Sequence, residues 1–142
     1  MDWNKLAEAL IPDENIKPLD YYETQYPERD LPKGAQVTRL APSPTGFMHL
    51  GNLYVALANE RIAHQSGGVF YLRIEDTDKK REIDDGVSAI VNGFDYFGVE
   101  FTEGVTGFST EKGAYGPYTQ SKRAEIYQTV AKSLVEKGLA YP

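Results

Sequence analysis

The sequence contains no cysteine, so it can form neither a disulfide framework nor a thiolate metal site. It also has no apolar run near the roughly 18–20 residues that a membrane-spanning helix needs. Its first residues, Met1-Asp-Trp-Asn-Lys5, lack the basic start and the long apolar stretch of a signal peptide. These absences predict a cytoplasmic protein with no membrane partner.

Positive charge is scarce, since 15 lysines and arginines stand against 21 aspartates and glutamates, for a formal net charge of −6. Sequence-independent binding of nucleic acid needs a basic protein surface. The charge balance therefore argues against a generic nucleic-acid-binding module, although a local basic patch is compatible with it. The chain of 142 residues, 41% of them hydrophobic, is long enough for one globular domain with a core.

Residues 1–36 form an aromatic-rich segment without a regular pattern over most of its length. Apolar residues from Trp3 to Ile11 recur at helical spacing, and Pro12 ends the short helix that they predict. Further prolines then punctuate a stretch that contains three tyrosines. We predict that residues 1–36 are an N-terminal extension that packs its aromatic side chains on the main domain, and the residues themselves assign it no function.

Residues 37–142 alternate strand and helix patterns. The predicted elements are a strand over 36–41, a helix over 49–65, a strand over 69–74, a helix from Asp84 or Asp85 to Phe97, a glycine-rich connection over 99–120, a helix over 121–137 and the start of a strand over 139–142. This order is typical of a parallel α/β sheet. Because two or three strands leave faces and edges of such a sheet uncovered, we predict the first half of a larger domain.

All three helices of this part carry apolar stripes that predict their buried sides. The predicted buried residues are Leu50, Leu53, Leu57 and Ile62 on the 49–65 helix, Val87, Ile90, Val91, Phe94 and Phe97 on the helix that ends at Phe97, and Ile126, Val130 and Leu134 on the 121–137 helix.

The segment 39–52 lies where the first predicted strand meets the first helix of the sheet. Ligands of open parallel sheets bind beyond the carboxyl ends of strands, and a helix N-terminus there suits a phosphate. His49 can donate a hydrogen bond to a phosphate oxygen, and Gly51 leaves room for a flat ring. Taken singly, however, a histidine at a helix start is more often a cap, and a loop rich in proline and glycine is usually only a loop.

The combination of residues is more specific than its parts. Ser43-Pro-Thr-Gly-Phe-Met-His-Leu-Gly-Asn52 resembles the class I aminoacyl-tRNA synthetase signature that is usually written His-Ile-Gly-His. Arg39-Leu-Ala-Pro before it, Leu72-Arg-Ile-Glu-Asp-Thr-Asp78 and Gly116-Pro-Tyr-Thr-Gln-Ser-Lys-Arg123 are similar to blocks of the glutamate/glutamine branch, in the form typical of bacterial glutamyl-tRNA synthetases. The resemblance covers 37–142 and implies the N-terminal half of a Rossmann-like catalytic domain with a parallel sheet.

The resemblance also implies a site and a reaction. It assigns Arg39 to the side-chain carboxylate of L-glutamate, Glu75 to its ammonium group, Ala41 and Ser43 to the walls of the amino-acid site, His49, Gly51 and Asn52 to ATP, and catalysis to His49. Asn52 stands where the signature has its second histidine. Glutamate would attack ATP, brought with Mg²⁺, to give glutamyl-adenylate, and tRNA(Glu) would then accept the glutamyl group.

No metal ligand is predicted in this chain, because the acidic run 75–78 lacks the spacing of an EF-hand loop. The family's lysine loop, Lys-Met-Ser-Lys-Ser in its common form, is absent from the 142 residues. We therefore expect a fragment of a ligase that does not aminoacylate alone. We also expect the ligase to be a monomer.

Three alternatives stay open at this point. A nucleotidylyltransferase of the same superfold also uses a His-x-Gly-His helix start, but the blocks around Arg39 and Glu75 argue against it. A truncated synthetase relative that glutamylates a modified tRNA base would share those blocks. A non-catalytic tRNA-binding paralogue would not need Arg39, His49 and Glu75 together.

Several neighbouring residues have ordinary structural interpretations. Arg73 and Glu75 share one side of an extended chain, so Arg73 can simply pair with an acidic neighbour. Ser121 is predicted to cap the helix that follows it. Tyr115 and Tyr118 either contact RNA or pack under a loop, and packing is the favoured interpretation.

Overall fold

The computed structural model describes residues 2–46 and 48–142, so Met1 and Phe47, the latter within the segment 39–52, lie outside the described residues. The helices are α1 (Trp3–Leu10), α2 (Leu19–Gln25), α3 (Leu50–Gln65), α4 (Gly86–Tyr96) and α5 (Ala124–Glu136). The strands are β1 (Val37–Leu40), β2 (Val69–Leu72), β3 (Glu103–Val105) and β4 (Glu111–Lys112). Contacts divide the chain into two compact units, one of Arg29–Ser121 and one of the residues up to Glu28 together with Lys122–Pro142.

The Arg29–Ser121 unit is built on a sheet with the strand order β1-β2-β3-β4. β1 pairs parallel to β2 from Val37 opposite Val69 to Leu40 opposite Leu72, and β2 pairs parallel to β3. β4 returns antiparallel to β3. The predicted parallel pairing of the first two strands is confirmed. β3 and β4 were predicted as part of a connection, because strands of three and two residues carry no readable periodicity.

The core of this unit lies between the sheet and the helices α3 and α4. Its buried residues include Leu40, Phe70, Leu72 and Ile74 near the sheet, Ile90, Val91 and Phe94 on α4, and Ala56 and Ala63 on α3. The predicted buried side of α3 is wrong, since Leu50, Leu57 and Ile62 are exposed and Leu53 is half-buried. The small side chains of Ala56 and Ala63 occupy the buried side instead. On α4 the predicted stripe is confirmed for Ile90, Val91 and Phe94, and Val87 is half-buried, but the prediction is wrong for Phe97, which is exposed just after the helix.

Two glycines let neighbouring backbones approach closely. A Cβ atom on Gly104 of β3 would collide with the backbone of Leu72 on β2, and the Gly104 φ of +123° is one that side chains rarely adopt. A Cβ atom on Gly68, just before β2, would collide with the backbone of Gln36, just before β1. The absence of a side chain at these two positions therefore allows the strands to pair at this spacing.

In the other unit, the N-terminal segment packs along α5. Helix α1 is confirmed, but α2 was not predicted, because the flanking prolines, Pro18 and Pro27, mask a helix of only seven residues. Thr129 of α5 donates a hydrogen bond to the Lys17 carbonyl at 2.8 Å. Tyr22 is buried, and burial together with its hydrogen bond to Glu125 raises the pKa of Tyr22 to about 12.

The polar residues of α5 form much of its buried side. Its buried residues are Thr129, Lys132, Ser133 and Val135. Of the predicted inward residues, Val130 and Leu134 are exposed, so that prediction is wrong for them, and Ile126 is half-buried. Among the described residues, 139–142 form no strand. The prediction of a boundary between an extension over 1–36 and a domain over 37–142 stays a prediction.

Candidate functional site

The parallel ends of β1 and β2 bring Arg39 and Glu75 together. The backbone pairing continues past the strands, since Arg73 N–H donates to the Leu40 carbonyl at 2.9 Å and Glu75 N–H donates to the Pro42 carbonyl at 3.0 Å. Arg39 Nη1 then lies 4.0 Å from Glu75 Oε1, with both side chains partly exposed. A cation and an anion thus stand side by side at the carboxyl edge of the sheet, where open parallel sheets bind ligands.

The largely buried Arg73 binds the same Glu75 carboxylate. Its Nη2 donates to Glu75 Oε1 at 2.6 Å, which confirms the predicted pairing of these two residues. The Arg73 side chain is only 18% exposed, and its Nε is buried without a hydrogen-bond partner among the described residues. Buried polar atoms normally have hydrogen-bond partners, so Arg73 Nε is an unused hydrogen-bond donor next to Glu75.

The loop after β1 leads into α3 through His49, which is the N-cap residue of that helix. The Asn52 side-chain oxygen accepts a hydrogen bond from the His49 backbone N–H at 3.1 Å, so Asn52 stabilises the helix start as a capping residue does. A Cβ atom on Gly51 would lie 3.0 Å from the His49 ring. Gly51 therefore leaves room over the first turn, as its sequence position predicted, and the flat ring beside it is the His49 imidazole.

A cavity of about 260 Å³ opens beside this helix start. It is lined by Pro42, Ser43, Thr45, Gly46, Met48, His49, Asn52, Ile90 and Phe94. The predicted site residues thus fall into two groups: Ser43, His49 and Asn52 line the cavity, whereas Arg39 and Glu75 form the ion pair at the strand ends. Ala41 is half-buried between β1 and the loop, and Gly51 supports His49.

The acidic run after β2 is tied to a later loop by Asp76. This buried carboxylate accepts hydrogen bonds from the Ser121 N–H at 2.8 Å, from the Ser121 hydroxyl and from Lys79 Nζ at 3.0 Å. Burial alone would raise the pKa of Asp76, but the bonds from Ser121 and Lys79 hold that pKa below its ordinary value. Ser121 is therefore a partner of Asp76, and the prediction that it caps the next helix is wrong, because α5 starts three residues after it with Arg123 as its N-cap residue.

The described residues contain no cluster of three or more histidine, aspartate or glutamate side chains that could hold a metal ion. Nor, in the same part of the chain, is any helix long and apolar enough to cross a membrane. The predicted compartment stays a prediction.

Comparison with known proteins identifies the family. Residues 36–142 match the family model described as "tRNA synthetases class I (E and Q), catalytic domain". The chain belongs to this class I synthetase family. It is 59% identical over 143 residues to the glutamate–tRNA ligase of Acetivibrio thermocellus and 53% identical over 142 residues to that of Clostridium perfringens strain 13. Each match covers 100% of this chain but 26% of the relative, so the chain spans about a quarter of their length.

A solved class I synthetase has the same fold. The crystal structure of a glutamate tRNA ligase from Elizabethkingia meningosepticum, in complex with its amino acid, is similar with a TM-score of 0.64 and 36% identity. The match covers 70% of this chain and 19% of that one. The predicted family and the predicted fold class, a parallel-sheet N-terminal part of a class I synthetase catalytic domain, are confirmed.

Proposed function

We propose that this chain is the glutamate- and ATP-binding part of a longer glutamate–tRNA ligase. One observation carries the proposal: Arg39 and Glu75 present opposite charges 4.0 Å apart at the carboxyl edge of the sheet. Glutamate has a matching pair of groups, because its ammonium can bind the Glu75 carboxylate and its side-chain carboxylate can bind the Arg39 guanidinium in two places. Arg73 orients the Glu75 carboxylate for that role through its hydrogen bond of 2.6 Å.

ATP, with its Mg²⁺, would bind at the start of α3. The free N–H groups and the partial positive charge of a helix N-terminus suit phosphate, and His49 lines the adjacent cavity. The α-carboxylate of glutamate is already ionised at neutral pH, so its attack on the α-phosphorus of ATP needs no general base. Catalysis would come from alignment of the reactants and from His49 stabilising charge on the phosphate.

The glutamyl-adenylate formed in this step would then pass its glutamyl group to the terminal hydroxyl of tRNA(Glu). Because the lysine loop of the family is absent from the 142 residues, we propose that the chain alone does not complete either step. We propose a monomeric ligase. The whole-chain matches are to glutamate–tRNA ligases and give no support to the base-modifying or non-catalytic alternatives.

The test is Arg39→Ala in the longer ligase, assayed by glutamate-dependent pyrophosphate exchange with tRNA present. Charged hydrogen bonds contribute about 1.5–3 kcal/mol each, so the KM for glutamate should rise roughly 10- to 100-fold, and discrimination against glutamine should fall. Arg61→Ala, at an exposed arginine of α3, is the matched control. An unchanged glutamate KM in Arg39→Ala would remove Arg39 from the pocket.

A further inference from the structure

Arg29 lies in a segment of the N-terminal region that no motif marks, yet it makes one of the most enclosed ion pairs of the Arg29–Ser121 unit. Its guanidinium binds the Glu103 carboxylate with two nitrogens, Nη1 to Oε1 and Nη2 to Oε2 at 2.8 Å. The two side chains are 17% and 13% exposed. The same guanidinium stacks 3.7 Å from the centre of the Tyr115 ring. Planar stacking and two-point binding are properties that lysine lacks.

Glu103 also binds Tyr118, so it links Arg29 to that residue. The Tyr118 hydroxyl donates to Glu103 Oε2 at 2.7 Å and accepts from the Tyr115 N–H at 3.1 Å. The hydrogen bonds from Arg29 keep the pKa of Glu103 below its ordinary value, and burial raises the pKa of Tyr118 to about 12. At neutral pH the carboxylate is therefore charged and the phenol protonated, so the chain of donors and acceptors is complete.

Tyr118 then connects to the proposed glutamate site through its backbone. Its carbonyl accepts from the Ile74 N–H at 2.9 Å, and the Ile74 carbonyl accepts from the Gln120 N–H at 2.9 Å. Residues 118–120 thus add a short parallel pairing to Ile74, the residue immediately before Glu75. On the other side of Glu75, Asp76 is bound by Ser121. Glu75 is therefore held between two anchors in the same loop.

We propose that Arg29 is a positioning residue for glutamate recognition, acting through Glu103 and Tyr118 on the backbone that carries Glu75. This inference rests on the proposed function. A buried ion pair is a weak source of stability compared with apolar packing, but it defines geometry sharply, because a lost partner leaves a buried charge unpaired. The network thus links four sequence-distant segments and ends at the backbone of Ile74, next to the residue whose carboxylate would bind the substrate ammonium.

The experiment compares Arg29→Gln and Arg29→Lys in the longer ligase, measuring the KM for glutamate, the KM for ATP, kcat and the thermal midpoint. A small misplacement of a binding group costs about 10- to 100-fold, so Arg29→Gln should raise the glutamate KM by that order with the ATP KM nearly unchanged. Arg29→Lys keeps the charge but not the planar fork, so it should recover part of the loss. Arg61→Gln, at an exposed arginine of α3, should match the wild type.

The outcomes separate this inference from the proposed function. A wild-type ligase without glutamate-dependent exchange contradicts the proposed function itself. An active wild type with an unchanged glutamate KM in Arg29→Gln overturns the positioning role, even where the thermal midpoint falls, and so does an equal rise in both KM values. If Arg29→Gln does not fold, Tyr118→Phe removes only the hydroxyl that links Glu103 to the loop. A glutamate KM that stays at the wild-type value in Tyr118→Phe would equally overturn the inference.

Discussion

The packing of the N-terminal segment on α5 predicts that substituting Lys132 and substituting its acidic partners reduce stability by different amounts. This lysine is 5% exposed, and its ammonium group donates to Asp13 Oδ1 at 2.6 Å and to the Glu8 carboxylate. Both acids face solvent, with side chains that are 81% and 52% exposed. Burial alone would lower the pKa of Lys132, but the bonds to Asp13 and Glu8 raise it overall. The loss in the free energy of unfolding therefore depends on whether the lysine or the two acids are substituted.

Removing the acids should cost more than removing the lysine. The double substitution Glu8→Gln with Asp13→Asn leaves a buried ammonium without a counter-charge, which typically costs about 3–5 kcal/mol. This destabilisation has an upper limit, because the Lys132 ammonium can lose its proton instead. Neutralising a lysine of ordinary pKa 10.5 at pH 7 costs about 5 kcal/mol. Lys132→Met instead leaves two exposed carboxylates that water can solvate and an apolar chain of similar length, so it should cost less than about 1 kcal/mol.

Urea unfolding of the 142-residue chain, followed by tryptophan fluorescence, measures both changes. Trp3 is the single tryptophan, lies on α1 and sits against Gly138 just after α5, so its signal follows this unit. Lys5→Met, at a lysine that is 86% exposed, is the control and should change the free energy of unfolding little. If Lys132→Met destabilises the chain as much as the double acid substitution, the assignment of the buried charge to Lys132 is wrong.

Two further predictions concern the site and its acid stability. In the longer ligase, His49→Ala should slow pyrophosphate exchange by roughly a hundredfold or more (~3 kcal/mol) with a smaller change in the KM for ATP, and a near-normal kcat would make His49 structural. The pKa values of Glu103 and Asp76 are held below their ordinary values, so both carboxylates add stability that is complete above those ordinary values and is lost as pH falls through the lowered ones. Glu103→Gln should flatten this loss in acid unfolding curves, and an unchanged pH dependence would contradict it.

The strand-to-helix junction was predictable because local pattern and motif agree there. β1, the loop with two prolines and a helix from His49 each have a local signal, and the pairing of Arg73 with Glu75 follows from the alternation of side chains along an extended chain. Ser43, His49 and Asn52 line one cavity at this junction, and their assignment to glutamate and ATP stays a prediction. Local chemistry and short-range geometry thus suffice where the partners are close in sequence.

The faces of α3 and α5 were harder to predict, because periodicity assumes that the large apolar residues are the buried ones. α3 places Ala56 and Ala63 on its buried side and leaves Leu50 80% exposed. On α5 the buried side is partly polar, since Lys132 and Thr129 bind partners in the N-terminal segment. A polar residue with a partner more than a hundred positions away looks in sequence like a surface residue, and hydrophobic patterning assigns it to the wrong face.

The network of Arg29 shows the same limit, because no motif or periodicity marks Arg29 as the partner of Glu103. Composition groups residues 1–36 as one extension, whereas the contacts place the residues up to Glu28 with α5 and Arg29 with the sheet. The first part supplies the counter-charges of Lys132, and Arg29 is paired with Glu103. A truncation at residue 36 would remove both sets of contacts at once. A cut after Glu28 is the division that the contacts support, because it keeps Arg29 and Glu103 paired while it exposes Lys132, so the two roles can be separated within one molecule.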